Sequence, residues 1–527
     1  MNKVISTLVL MCVLVISLAP IVASEEISRE ETLVIVTGQE PAGFEPGYMV
    51  DNMSTTMCHT VYDTLTDYIH EVDEAGRSVA YRIGPSLAKS WELSEDGKTY
   101  TFHLVENAVF TSGNPVDAHA VKASLERIPM QEAGAVWQAN RVGFTLDSIT
   151  VIDDFTFKME LTNPCPFLLG MLQIPNWGAI VDPAEVEAHG GIVQGQPNEW
   201  LMLNTAGSGP YVIDYWTPGE ELVFRRNDEY WAMTPYFKRV VLRFVTEAST
   251  RELLVRSGEA DIAMDILLKD WDRIDALDGV EVLETPTIET VYVGMNHEKE
   301  PWNDPFVRKT IAYAIPYEDI LSNVLFNKAT RPYGAMNPTM LGYKGETWYY
   351  DFDMDKAAEM LAKSAYPDGF STVIDITTGV PEEETVATII KQNLATLGID
   401  VQVRKSDRPA WLDIVYGKIG DMFISHYTPY VNDPGYFASV WWTCGQRSNH
   451  SNYCHPGFGE WVESMMYEQD IELRIQKCHD MQVLFAEDCG FIPVYRPNYG
   501  QVQREDIGGY VYYPNRLLHY EFFYRET

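Results

Sequence analysis

"GPSLAKSWELSEDGKTYTFHLVENAVFTSGNPVDAHAVKASLERI", residues 84–128, holds a strand pair and a helix in immediate succession. Asp96-Gly97 supplies a hairpin turn, and beyond it Tyr100, Phe102 and Leu104 alternate onto one face. The stretch from Val116 to Ile128 begins just after Pro115 and repeats its apolar residues at helical spacing.

The flanking sequence extends both patterns. Upstream, Thr32–Thr37 (TLVIVT) predicts a buried first strand, followed by a Gly/Pro-rich loop through Gly47. Met53–Tyr68 has helical spacing with Ser54 near its start as a cap. Downstream, residues 149–161 predict a hairpin turning at Asp153-Asp154, and residues 208–231 another turning at Pro218-Gly219. The texture then changes. Val291–Asn296 predicts a strand, and residues 304–324 a helix divided by Pro316. Amphipathic helices over 353–366 and 383–399 come with strands at Val373–Thr377 and Asp400–Arg404. Such βα alternation predicts a second α/β lobe.

A chain of 527 residues is too long for one simple core and predicts two or three substructures. Its 46 % apolar and 12 % aromatic content is that of a globular protein. The formal charge of −37 argues against nucleic acid, whose phosphates demand clustered Lys and Arg, and against docking on an anionic membrane surface. At the N-terminus, Lys3 precedes an apolar run from Val4 to Val22 that Pro20 interrupts, and Val22-Ala23-Ser24 offers small residues before Glu25. Residues 1–24 therefore predict a secretory signal peptide; a retained membrane anchor is the alternative, since the run is long enough to span. The expected location is the periplasm or the outer face of the cell membrane.

Six cysteines follow the signal segment: Cys58, Cys165, Cys444, Cys454, Cys478 and Cys489. No CxxC occurs, which removes a thioredoxin-like motif and a zinc ribbon. "CGQRSNHSNYCH" (444–455) admits two readings. His450 and His455 beside the two cysteines could form a metal nest, but the spacing fits no standard zinc finger. In an exported protein a Cys444–Cys454 disulfide closing a short loop is simpler, so no metal site is expected. Catalytic motifs are missing too: there is no G-x-S-x-G, HExxH, P-loop or G-x-G-x-x-G. The carboxylates Asp153-Asp154 and Asp351/Asp353/Asp355 fall at turns or helix starts, where they cap or solvate. No enzyme activity and no cofactor are expected.

Six segments, in order, resemble the extracytoplasmic solute-binding proteins of peptide- and nickel-type ABC importers, solute-binding family 5. They are the opening stretch 84–128, then "GSGPYVIDYWTPGEELVFRRNDEYW" (207–231), "RELLVRSGEADIAMDI" (251–266), "NDPFVRKTIAYAIPYEDIL" (303–321), "QNLATLGIDVQV" (392–403) and "FIPVYRPN" (491–498). The resemblance implies an α/β two-lobed clamp of the periplasmic-binding-protein type, with mixed sheets in both lobes, closing on its ligand about a hinge. It divides the chain into a first lobe over 25–288 with a hairpin-rich subdomain near 60–190, a second lobe over 289–488, and a return to the first lobe over 489–527. It implies a monomer that captures a small solute, peptide-like or other, and hands it to a membrane permease. A metal-chelate binder of the same family and a ligand-presenting sensor are the alternatives.

The resemblance also gives a role to "HYTPYVNDPGYFASVWW" (426–442), which carries six aromatic rings around an Asn-Asp-Pro-Gly turn. By alignment on that turn, Tyr430 stands where oligopeptide binders place an Asp for the peptide amine. Val415 and Ile424 stand where several use cations. Chelate binders place an arginine near 176–179, where this chain has none, although His450 or His455 could supply an imidazole. Rings in a cleft provide desolvated area with polar edges, so His426, Tyr427, Tyr430, Asp433, Trp441 and Trp442 are the candidate ligand contacts. Phe437, Trp441 and Trp442 also suit an ordinary core. Trp411, after Pro409, suits core better than ligand. With Asp, and the cations, absent from those positions, free peptide termini are expected to be poorly matched there.

Overall fold

The computed structural model describes residues 27–49 and 51–526; the expected signal segment 1–24 lies outside the described residues. The strand Thr32–Thr37 is buried at every position. Parallel neighbours Arg239–Phe244 and Ile262–Ala263 flank it on its two edges. Its side chains serve two cores, Leu33 and Ile35 in one and Val34 and Val36 in the other, as the two-residue alternation of a strand requires. A strand covered on both faces has no polar side to show, hence the unbroken apolar run.

The second lobe is built on parallel strands Ser371–Thr377 and Asp400–Ser406, with helix Pro381–Ala395 as the crossover. Met422–Tyr427 runs parallel on the other edge of Ser371–Thr377, and Thr290–Met295 pairs with it antiparallel. Ile374, Ile376, Val291, Val293, Ile390 and Leu394 share one buried cluster. Helix Pro305–Ala314 stops before Pro316, whose ring blocks the next helical hydrogen bond.

One element joins the lobes. The strand Ile492–Arg504 pairs through Ile492–Tyr495 with Thr290–Met295, and through Asn498–Arg504 with Val280–Pro286. Gln503 and Val502 reach Ile262–Ala263 of the first lobe. Its burial follows that route: residues 492–496 are buried, 497–500 half-exposed, and 501–503 buried again. Both lobes thus contain parallel and antiparallel pairs, the mixed two-lobed α/β architecture expected from sequence.

The hairpin-rich region forms a separate sheet in the order Ala88–Leu93, Thr99–Leu104, Thr156–Glu160, Ile149–Asp153. Tyr100, Phe102 and Leu104 are buried on one face, and helix Ala118–Gln131 begins at an Asp117 cap. One expectation is corrected here. The helix expected over 53–68 covers only Asn52–Val61, capped by Asp51, and Thr66–Val72 is a strand paired with Ser78–Pro85. Pairing along a second strand overrides helical spacing that the isolated segment could have kept. Among the described residues, no helix is long and apolar enough to cross a membrane.

Candidate functional site

The ring-rich stretch splits into two fates. Met422–Tyr427 is a strand whose last two residues point to opposite faces, leaving His426 exposed and Tyr427 buried. The Tyr427 ring lies 5.1 Å from Trp441 and 5.6 Å from Phe437. Trp442 is fully buried, with Phe437 at 5.0 Å and Phe485 at 5.3 Å. Asp433 caps helix Pro434–Trp441, accepting from the amides of Gly435 (2.8 Å) and Tyr436 (3.0 Å). Its carboxylate also takes Arg474 Nη2 at 2.6 Å, and both side chains are buried. Tyr427, Trp441 and Trp442 thus pack into one buried aromatic cluster, while Asp433 starts the helix and pairs with Arg474. Val415 and Ile424 also point into cores, so cations at those positions would not have faced a cleft.

Tyr430 has the opposite fate. It is exposed, and its ring faces Trp137 of the hairpin-rich region at 6.3 Å. Nearby, Arg141 Nη1 donates to the Ser439 carbonyl at 3.3 Å, and Phe167 meets Tyr436 at 5.8 Å. The two sides of the clamp thus touch along this edge.

A second, charged group of residues lies around Glu289. Glu289 follows strand Val280–Pro286 and precedes Thr290–Met295. Its Oε2 accepts from Arg516 Nη2 at 2.6 Å and from Thr428 Oγ1 at 3.1 Å. Burial would raise the Glu289 carboxyl, but Arg516, His426 and these hydrogen bonds more than offset it and hold it low. Loss of hydration among its neighbours holds the His426 imidazole below its ordinary range, with Arg408 and Arg516 acting in the same direction and Glu289 opposing. Arg408, exposed at the start of helix Arg408–Tyr416, lies over the Trp411 ring at 4.7 Å. Buried Glu383, in the first turn of Pro381–Ala395, accepts from the Thr377 amide at 3.0 Å. Burial lifts its carboxyl to about 7, against the Thr377 bond and Arg408.

Placement explains the convergence. Glu383 and Arg408 stand just past the C-terminal ends of the parallel strands 371–377 and 400–406. In the first lobe Gln39 and Asp265, 3.4 Å apart, stand just past strands 32–37 and 262–263. Crevices outside the carboxyl ends of parallel strands are where open α/β sheets bind ligands. Sequence reasoning missed Glu289, Glu383, Arg408 and Arg516. The positions after the expected strands at 373–377 and 400–404 carried a usable signal for two of them; Glu289 and Arg516 carried none, since their pairing depends on the lobe crossing.

The disulfide expected in the 444–455 loop is present, in place of a metal nest. Cys444 and Cys454 form a disulfide. His450 is buried with Nδ1 3.1 Å from Tyr292 Oη, and burial pushes its imidazole down to about 3. Cys58, Cys165, Cys478 and Cys489 are free and buried.

Comparison with known proteins bears on the family and the fold. The family model described as bacterial extracellular solute-binding proteins, family 5 Middle, matches residues 82–449. A probable D,D-dipeptide-binding periplasmic protein of Escherichia coli K12, DdpA, is 27 % identical over 492 residues, covering 92 % of each chain. The dipeptide-binding protein of the same strain is 24 % identical, covering 94 % of each. The Helicobacter pylori ABC transporter-associated periplasmic binding protein DppA, solved with peptide STSA, superposes with a TM-score of 0.81 at 24 % identity, covering 94 % of this chain and 98 % of that one.

Proposed function

We propose that this chain, which belongs to the bacterial extracellular solute-binding proteins of family 5, is the exported, monomeric capture subunit of an ABC importer and takes a peptide-like solute between its lobes. Its lobes divide as 25–288 with 489–527, against 289–488, and bend where residues 287–289 and 497–500 cross. It performs no chemistry. Ligand favours the closed state because only there do both lobes touch it, and the permease receives the closed form.

The observation that carries the ligand class is the gathering of both charge signs around Glu289 and His426. Glu289 and Glu383 supply carboxylates, and Arg516 and Arg408 supply guanidiniums. A peptide brings one ammonium and one carboxylate, each served best by a charge-assisted hydrogen bond. This revises the expectation that free termini go unmatched: Tyr430 stands at the aligned Asp position, but the carboxylates come from other elements. His426, Tyr430 and Trp137 border the crevice and receive the ligand's body. The relatives' peptide ligands support the same class. The charge of −37 supports neither nucleic acid nor an acidic membrane as partner.

Calorimetry with unmodified, N-acetylated and C-amidated di- to pentapeptides tests the reading. Unmodified peptides are expected to bind, and each cap to weaken binding by about 2–5 kcal/mol, the scale of an unpaired buried charge. Glu289→Gln and Arg516→Ala should each reproduce one capping loss. Equal binding of capped and free peptides would reject the charge-matching reading.

A further inference from the structure

The first lobe holds a second convergence of chemistry that the solute cleft does not use. His59 lies in the last turn of helix Asn52–Val61, while His519 and Glu521 lie at the turn Tyr520–Phe522 near the C-terminus. All three are more than nine-tenths buried. One potential ligand atom from each lies within 4.8 Å of the others, the group among the described residues that could hold a metal ion. Asp67 is a fourth neighbour, its Oδ1 3.6 Å from His59 Nε2. The two imidazoles lie with centroids 3.9 Å apart, and Tyr513 stacks on His519 at 3.8 Å.

Side-chain pairing alone does not satisfy this group. His519 Nδ1 reaches Glu521 Oε1 at 3.3 Å, yet His519 Nε2 and Glu521 Oε2 are both buried without a hydrogen-bond partner. A buried nitrogen lone pair and a buried carboxylate oxygen are each costly when unpaired. A cation coordinated by Glu521 would remove the carboxylate's cost. We infer that His59, His519 and Glu521, with Asp67 at the margin, form a structural site for a divalent metal ion of the zinc type. Two imidazoles and a carboxylate are a donor set that Zn²⁺ accepts, and mixed nitrogen and oxygen ligands do not suit Mg²⁺ or Ca²⁺. Donors about 2 Å from an ion stand about 3.3 Å apart in a tetrahedron, so the ligand atoms need to draw together by up to about 1.5 Å. The ion would tie the first helix of the lobe to its last turn. Between Tyr513 and His519 lies Arg516, so the same bond would steady the loop that presents Arg516 to Glu289.

The site does not depend on the ligand class proposed above. The test uses the tag-free exported chain, stripped with chelator, desalted and titrated with zinc chloride against a chromophoric competitor, then separately with cobalt chloride. One equivalent of zinc is expected to bind with submicromolar Kd and to raise Tm. Cobalt is expected to show the visible bands of a four-coordinate nitrogen and oxygen site. His519→Gln and Glu521→Gln should each weaken zinc by about a hundredfold or more. Should those variants misfold, anomalous scattering at the zinc edge from wild-type crystals decides, with a peak between His59 and His519 expected. Failure of wild type to bind one equivalent, undiminished binding in folded variants, or a cobalt-thiolate band implicating buried Cys58 would overturn the inference.

Discussion

The segment Asp433–Trp442 and the crossing around Glu289 are close in space and opposite in construction. The first is contiguous in sequence, aromatic and buried; its one charge, Asp433, is consumed by a helix start and by Arg474. The second is assembled from residues far apart in the chain, is polar, and stays half-open. Ring density along a sequence therefore marked packing, whereas the candidate binding chemistry sits where strand ends from two lobes meet. An aromatic run supplies its own burial partners locally, so it folds inward; opposite charges far apart in sequence gain a shared site only when the fold brings them together.

Breaking the buried pair should give the largest effect and sharpen the contrast. Asp433→Ala leaves Arg474 buried without its carboxylate and removes a helix cap, so a loss of about 3–5 kcal/mol is expected in urea unfolding. Peptide affinity of the folded fraction should stay the same. An affinity change matching that of Glu289→Gln would erase the distinction between the two regions.

Next comes Glu383, which gives the crossing a pH signature. Its folded carboxyl sits at about 7 against an ordinary 4.5. The protonated form is the one folding favours, so this group costs nothing below about pH 4.5. The cost grows as pH rises from 4.5 to 7 and is constant above. Converted at the standard rate, the full displacement is about 3 kcal/mol. Glu383→Gln keeps an acceptor for the Thr377 amide and should be more stable than wild type by up to that amount at pH 8, and equal to it at pH 4.5. Thermal melts at the two pH values check the sign; a difference that does not vary with pH would refute it.

The smallest effect belongs to Tyr430, the one ring of the stretch that is both exposed and turned toward the opposite lobe. Tyr430→Ala should weaken a bound peptide by about 1–3 kcal/mol in calorimetry while leaving Tm nearly unchanged. A large Tm loss with unaltered affinity would return Tyr430 to the core group.

Much of the fold was legible because it is written in short-range rules. Asp96-Gly97 and Pro218-Gly219 turn hairpins, Pro316 ends a helix, and the two amphipathic helices with their strands give a βα lobe. Ordered resemblance to one family supplied the clamp. The helix expected to Tyr68 failed because a strand partner, invisible in the segment, outcompeted its spacing. His426 and Tyr427 show the limit most directly. They are neighbours in the same strand, and alternation guarantees that they face opposite ways. Which of them faces the core is decided by the strands on either edge and the layers above and below.

From the sequence alone come the hairpins, the βα alternation and the Cys444–Cys454 pairing, since turns, periodicities and loop closure act over a few residues, while the two-lobed clamp came from the family resemblance. Tertiary structure alone decided which rings are core, and that Glu289 pairs with Arg516 near His426 and Arg408. Those assignments depend on long-range pairing through the strand Ile492–Arg504, and no local pattern encodes the partner of a residue two hundred positions away.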